Sequence, residues 1–125
     1  MIGSSRRVGV WACTVPTDMR KGHDGLSSLV ERELGRDPLS GEMFLFVSRD
    51  RKRAKVLLWD GTGLCLYAKR LERGRFASLV RADTSPLRLT VNELQLFLEG
   101  SKLVGRVKLS PSEFVRKRVV EKLAL

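Results

Sequence analysis

The sequence predicts an α+β fold: an antiparallel sheet built around a three-stranded meander over about residues 42–71, packed by two or three helices. Three observations carry this expectation. Residues 42–71 hold three runs of β-branched, aromatic and long apolar side chains, parted by short turn-forming stretches. The segments before and after them carry apolar residues at helical spacing. A chain of 125 residues that is 42% hydrophobic and 30% charged suits one globular domain with a sizeable core, so residues 1–125 are read as a single domain.

Residues 7–14 (RVGVWACT) read as a first strand, ended by Pro16, whose nitrogen cannot donate to a ladder. Leu26, Leu29, Val30 and Leu34 mark a helix over about 24–34, and Gly35 is placed to end it in a left-handed cap. Asp37-Pro38-Leu39-Ser40-Gly41 is a loop by its turn residues. Strands then follow at 42–48, 54–60 and 64–71, the last two joined through Asp60-Gly61-Thr62-Gly63. Residues 77–86 read as loop and Leu87-Arg88-Leu89 as a short strand. Thr90 with Glu93 is a capping-box pattern opening a helix whose apolar face holds Leu94, Phe97 and Leu98. Residues 101–109 are ambiguous, and Ser110-Pro111 opens a further helix inside a basic extension over 101–125.

If Gly61 and Thr62 form a two-residue turn, the pleat sets Trp59 against Leu64, Leu57 against Leu66 and Lys55 against Ala68. Leu58 with Cys65 and Val56 with Tyr67 then share the other face. Both faces are apolar near the turn, so both need covering: one by the 24–34 helix, the other by a second helix, the first strand's sheet or a partner subunit. On this arrangement Trp59 and Tyr67 are expected in the core.

The net charge of +10 is concentrated. Residues 49–75 hold 9 basic and 3 acidic groups, and residues 102–125 hold 7 basic and 2 acidic, while the rest is close to neutral. Because strand 54–60 begins where strand 64–71 ends, Arg49, Arg51, Lys52, Arg53 and Lys55 are expected to converge with Lys69, Arg70, Arg73 and Arg75. Arg20 and Lys21, ahead of a helix start, extend this candidate phosphate-binding set. Such clustering suits a polyanion.

Other chemistries find little support. His23 is the sole histidine, and Cys13 and Cys65 lie far apart, read as two reduced and mostly buried thiols. Asp18, Asp24, Asp37, Asp60 and Glu72 sit at turns, helix starts or among cations, where caps and ion pairs account for them. The glycines at 61 and 63 lack the Lys-Ser/Thr of a phosphate loop. No apolar run approaches a membrane span or a signal peptide's apolar region, so the expectation is a cytoplasmic, non-enzymatic protein without cofactor or metal.

The order of motifs resembles a known family. Pro16-Thr17-Asp18-Met19-Arg20-Lys21-Gly22 is followed by Asp24-Gly25-Leu26, Asp37-Pro38, Ser40-Gly41 and the strand through Phe44 and Phe46. Lys55-Val56-Leu57-Leu58-Trp59-Asp60-Gly61-Thr62-Gly63, Lys69-Arg70-Leu71-Glu72 and Gly74-Arg75-Phe76 complete it. Over about residues 7–100 this resembles the TnpB-type accessory proteins of the IS-66 family of bacterial insertion sequences. The chain departs from that pattern at His23 and in Ser101-Lys102-Leu103. The resemblance implies an accessory to transposition, encoded beside a separate transposase, and supplies no catalytic site. Two roles are therefore expected: DNA binding through the basic cluster, or an assembly module for the transposase or another accessory subunit, with a homo-oligomer compatible with either.

Overall fold

The computed structural model describes residues 8–100. The helix expected from Ser110 and the basic extension after residue 100 lie outside the described residues. In chain order the elements are β1 (Val10–Ala12), α1 (His23–Glu33), β2 (Met43–Val47), β3 (Arg53–Trp59), β4 (Leu64–Arg70), β5 (Leu87–Leu89) and α2 (Val91–Leu98). They form an α+β fold with one five-stranded sheet in the order β4-β3-β2-β1-β5.

The meander β2-β3-β4 is antiparallel, as its short connections require. Its register is the one the pleat predicts, with Trp59 opposite Leu64, Leu57 opposite Leu66 and Lys55 opposite Ala68. Gly61 takes φ +106 at the turn, and the Asp60 amide donates to the Gly63 carbonyl at 3.1 Å. The sheet as a whole is mixed, however, because β1 pairs parallel with β2 (Val10 with Met43, Ala12 with Leu45) and antiparallel with β5. The connection through α1 explains this: a helical crossover returns the chain to the sheet running in the same direction. The parallel pairing continues past β1 through Cys13 N–H to Leu45 O and Thr17 N–H to Val47 O, both 2.9 Å, so Pro16 sits where no donor is needed.

Each face of the sheet has its own cover. Phe44, Phe46 and Leu57 pack with Leu26 and Val30 of α1. On the opposite face Val10, Ala12, Leu45, Val47, Ala54, Val56 and Leu89 pack with Leu94 and Phe97 of α2 and with Phe76 and Leu79 from the β4-β5 connection. Phe76 and Phe97 are fully buried and stacked, ring centroids 5.1 Å apart and 11° from parallel. Each contributes on the order of 1.5–3 kcal/mol by leaving water. Of the three covers the sequence allows, a second helix is the one used, helped by a loop that buries two apolar anchors.

The helix ends follow local chemistry. Gly35, at φ +64, ends α1 in the left-handed conformation expected of it. Thr90 accepts from the Glu93 amide at 3.0 Å while the Glu93 carboxylate accepts from the Thr90 amide at 2.8 Å, so the capping box opens α2 as predicted. At the start of α1 the cap position is Gly22, which has no side chain to offer, and Asp24 supplies an anion in the first turn instead.

Two aromatic side chains depart from expectation. Tyr67 is 51% exposed. Among the described residues its strand is the sheet's edge, and the buried cluster on that face takes in Val56, the residue opposite Tyr67 on β3, but not Tyr67 itself. Trp59 is half-buried at the end of β3 and joins neither buried cluster.

Candidate nucleic-acid interface

The β2-β3 turn is assembled from its own polar side chains. The Ser48 hydroxyl donates to Asp50 Oδ1 at 2.7 Å, and that oxygen also accepts the Lys52 amide at 3.0 Å. Ser48 Oγ accepts the Arg53 amide at 3.1 Å, and Arg51 stands at φ 59 with its amide on Ser48 O. Left-handed backbone at a non-glycine residue costs roughly 1–2 kcal/mol. The chain leaving β4 clasps this turn: Leu71 N–H donates to Lys52 O at 2.8 Å and Phe76 N–H to Arg51 O at 2.7 Å. The Arg51 guanidinium returns a bond to Phe76 O at 3.2 Å. Residues 49–53 and 71–76 therefore meet at the end of the sheet opposite Asp60–Gly63.

The candidate cations divide by what holds them. Arg49, Lys52, Arg53, Arg73 and Arg75 are exposed and have no carboxylate within 4.0 Å among the described residues. Arg51 is half-buried on the Phe76 carbonyl. Arg70 is exposed beside the Glu72 carboxylate at 3.2 Å. Lys55 and Lys69 serve the fold. Lys55 Nζ donates to Met19 O and Lys21 O, each at 2.8 Å, tying the loop before α1 to the sheet. Lys69 Nζ donates to Leu98 O at 2.8 Å, satisfying a carbonyl of the last turn of α2, where a cation also suits the helix dipole. Lys21 lies half-buried in that same loop.

Arg20 sits across a shallow groove of about 420 Å³ lined by Asp18, Met19, Arg20, Ser48, Arg49, Asp50 and Arg53. Its guanidinium forks onto Asp18, with Nη2 2.8 Å from Oδ2. That hydrogen-bonded guanidinium, with the Arg20 amide, holds the Asp18 carboxyl well below the usual carboxylate range. The Ser48 hydroxyl and the Lys52 amide lower Asp50 as well. Both acids are firmly ionised and offset part of the groove's charge, Asp50 acting also on Lys52, so the least compensated cations stand beyond it: Arg73 and Arg75. An arginine fork matches a phosphate bidentately, and an ammonium serves as a point charge for the same group.

Elsewhere the acids and thiols are accounted for locally. Asp60 Oδ1 accepts the amides of Thr62 (2.9 Å) and Gly63 (3.0 Å), which lower its pKa from 3.8 to about 2. Cys65 is exposed, contrary to the expectation of burial, because it too lies on the edge strand beyond the cover; its thiol donates to Asp60 Oδ2 at 3.4 Å and is pushed up by that carboxylate. Cys13 is buried and free. Trp11 has both the Arg36 and Arg88 guanidiniums over its ring, 4.3 and 5.1 Å from the centroid, and its Nε1 donates to Glu42 at 2.9 Å. Sequence reasoning missed this stack because its members are 25 to 77 positions from one another except for the Arg36–Glu42 pair.

Comparison with known proteins gives a consistent picture. The family described as IS66 Orf2 like protein matches residues 8–107. Two similar proteins come from Sinorhizobium fredii (strain NBRC 101917 / NGR234). Uncharacterized protein y4hO is 38% identical over 100 residues, 80% of this chain and 86% of the relative. Uncharacterized protein y4jC is 36% identical over 111 residues, 89% of this chain and 93% of the relative. No solved structure matches the chain.

Proposed function

The chain belongs to the IS66 Orf2-like family of insertion-sequence accessory proteins, and from that premise we propose that it is a non-enzymatic factor that binds DNA through the basic end of its sheet. One observation carries the reading: the clasp of residues 71–76 onto the 49–53 turn gathers Arg49, Lys52, Arg53, Arg73 and Arg75 where no carboxylate within 4.0 Å neutralises them among the described residues. Cations on such a surface neutralise DNA phosphates and release the counterions condensed on them, giving affinity with little sequence reading.

The mechanism sets a salt law. On duplex DNA, log K falls against log salt with a slope of about −0.9 for each phosphate neutralised. Reversing Arg49, Lys52, Arg53, Arg73 and Arg75 to Glu is expected to flatten the slope and abolish binding while the domain stays folded. A titration on element-end DNA, unrelated duplex and single strands measures it. Absence of affinity at low salt, or affinity indifferent to salt, sinks the reading.

A second reading, an assembly module for the transposase, no longer draws on a sheet face left without a helix, since each face carries its own buried cluster. It draws instead on the outer edge of β4, which has no neighbouring strand among the described residues and offers main-chain groups for strand addition. Pull-down of purified transposase with nuclease present tests it: a complex that disappears on nuclease treatment counts against direct protein contact.

A further inference from the structure

We propose that the nucleic acid bound at the basic end is single-stranded and that Tyr67 stacks one of its bases. This rests on the DNA-binding reading and specifies the form of the ligand.

Five large apolar side chains are exposed among the described residues: Val15, Leu39, Tyr67, Val80 and Val91. Among these Tyr67 alone lies on a strand and alone carries a π face. Its backbone is fixed by the β3-β4 ladder, which runs unbroken from Arg53↔Arg70 to Trp59↔Leu64. The ring is therefore presented by a rigid element, and among the described residues the apolar layer on that face takes in Val56 and Leu71 but not Tyr67. Its neighbours along the same face leave room: Cys65 is small, and the Lys69 side chain is drawn off to Leu98 O.

Charge complementarity names the occupant. Leu71 and Phe76 both pack into the core of the face that Tyr67 occupies, so the loop between them lies on Tyr67's side of the sheet. That loop carries Arg73 and Arg75, both exposed and without a carboxylate partner among the described residues, and Gly74 at φ +72 turns the chain between them. An exposed aromatic ring on the same side of the sheet as a cationic loop fits a ligand with alternating flat apolar faces and negative charges. A single strand presents both; a duplex hides its base faces in the stack and presents only the charges.

The test compares the wild-type protein with Tyr67→Leu and Tyr67→Phe, using fluorescently labelled oligothymidine and a mixed-sequence duplex of equal length, by anisotropy at fixed salt. Oligothymidine is expected to bind at least as tightly as the duplex. Tyr67→Leu is expected to weaken oligothymidine roughly 5- to 150-fold, the span that base–aromatic stacking carries, and to leave the duplex unchanged. Tyr67→Phe keeps the π face and the affinity. The salt slope stays the same in both variants, because no phosphate contact is lost. Matching thermal melts confirm that the exposed substitution leaves the fold intact. Tyr67→Leu binding oligothymidine as well as the wild type does, or losing duplex binding equally, overturns the stacking. If salt-sensitive duplex binding persists alongside such a result, only the stacking falls. If the wild type binds neither DNA at low salt, the underlying reading falls with it.

Discussion

Lys55 and Lys69 are indistinguishable in the sequence from the cations around them, yet each ends on backbone carbonyls rather than in solvent. The partners explain why this was not legible: Met19 O is 36 positions from Lys55 and Leu98 O is 29 from Lys69. Replacing Lys69 by Met removes a charge-assisted bond and leaves the Leu98 carbonyl unpaired, an expected loss of about 1.5–3 kcal/mol in urea unfolding. Arg53→Met, on an exposed side chain with no carboxylate within 4.0 Å among the described residues, is expected to stay within about 0.5 kcal/mol. Asp60 makes a different prediction. Its pKa is depressed from 3.8 to about 2, so its hold on the turn is complete above the unfolded value and is lost as pH falls through about 2. The amide resonances of Thr62 and Gly63, which donate to it, should titrate together with that midpoint. A midpoint near 3.8 would mean the turn bonds do not favour the ionised form.

Among the elements, legibility tracked how local the information is. The β3-β4 register could be read because Asp60-Gly61-Thr62-Gly63 fixes the turn and the side-chain period of two does the rest. The α2 start could be read because Thr90 and Glu93 are three residues apart and satisfy each other. Thr90→Ala is accordingly expected to cost about 1 kcal/mol, with faster hydrogen exchange at the Glu93 amide; unchanged exchange would mean the box does not hold the helix start. β1 could not be placed this way. A three-residue strand carries no signal for which neighbours flank it, and its parallel pairing with β2 arises from the route of the chain through α1. Nor does alternation along β4 tell how far a cover on another element reaches. The pattern put Tyr67 on the correct face, beside Val56, but its exposure is decided by where α2 and the Phe76 loop stop.

At the scale of the whole molecule, the clustering of cations that serves a polyanion works against the free protein. The net charge is +10, and like charges at the clasped end repel one another when no ligand is present. Stability should therefore rise with added salt as the screening length shrinks from about 30 Å toward about 8 Å, and Tm measured across that range checks it. Reversing Arg49 and Arg53 to Glu should raise Tm at low salt and remove most of the salt response. A Tm that falls with salt in the wild type would mean attractive pairs such as Arg36–Glu42 outweigh the repulsion.

The place of β1 between β2 and β5 has a consequence for the order of assembly. β1 leaves the ribosome before the other described strands, yet Val10 pairs with Leu89, and the Thr14 hydroxyl donates to Ser85 O, 71 positions away. The meander from Met43 to Arg70 closes through short turns and can form as soon as it is synthesised. Among the described strands the one made earliest is thus the one whose second neighbour arrives latest, and its open side stays unpaired until β5 emerges. Nascent chains stalled before Leu87 should expose that side, and pulse proteolysis on the ribosome would detect it as cleavage near Trp11 that disappears once α2 has been made.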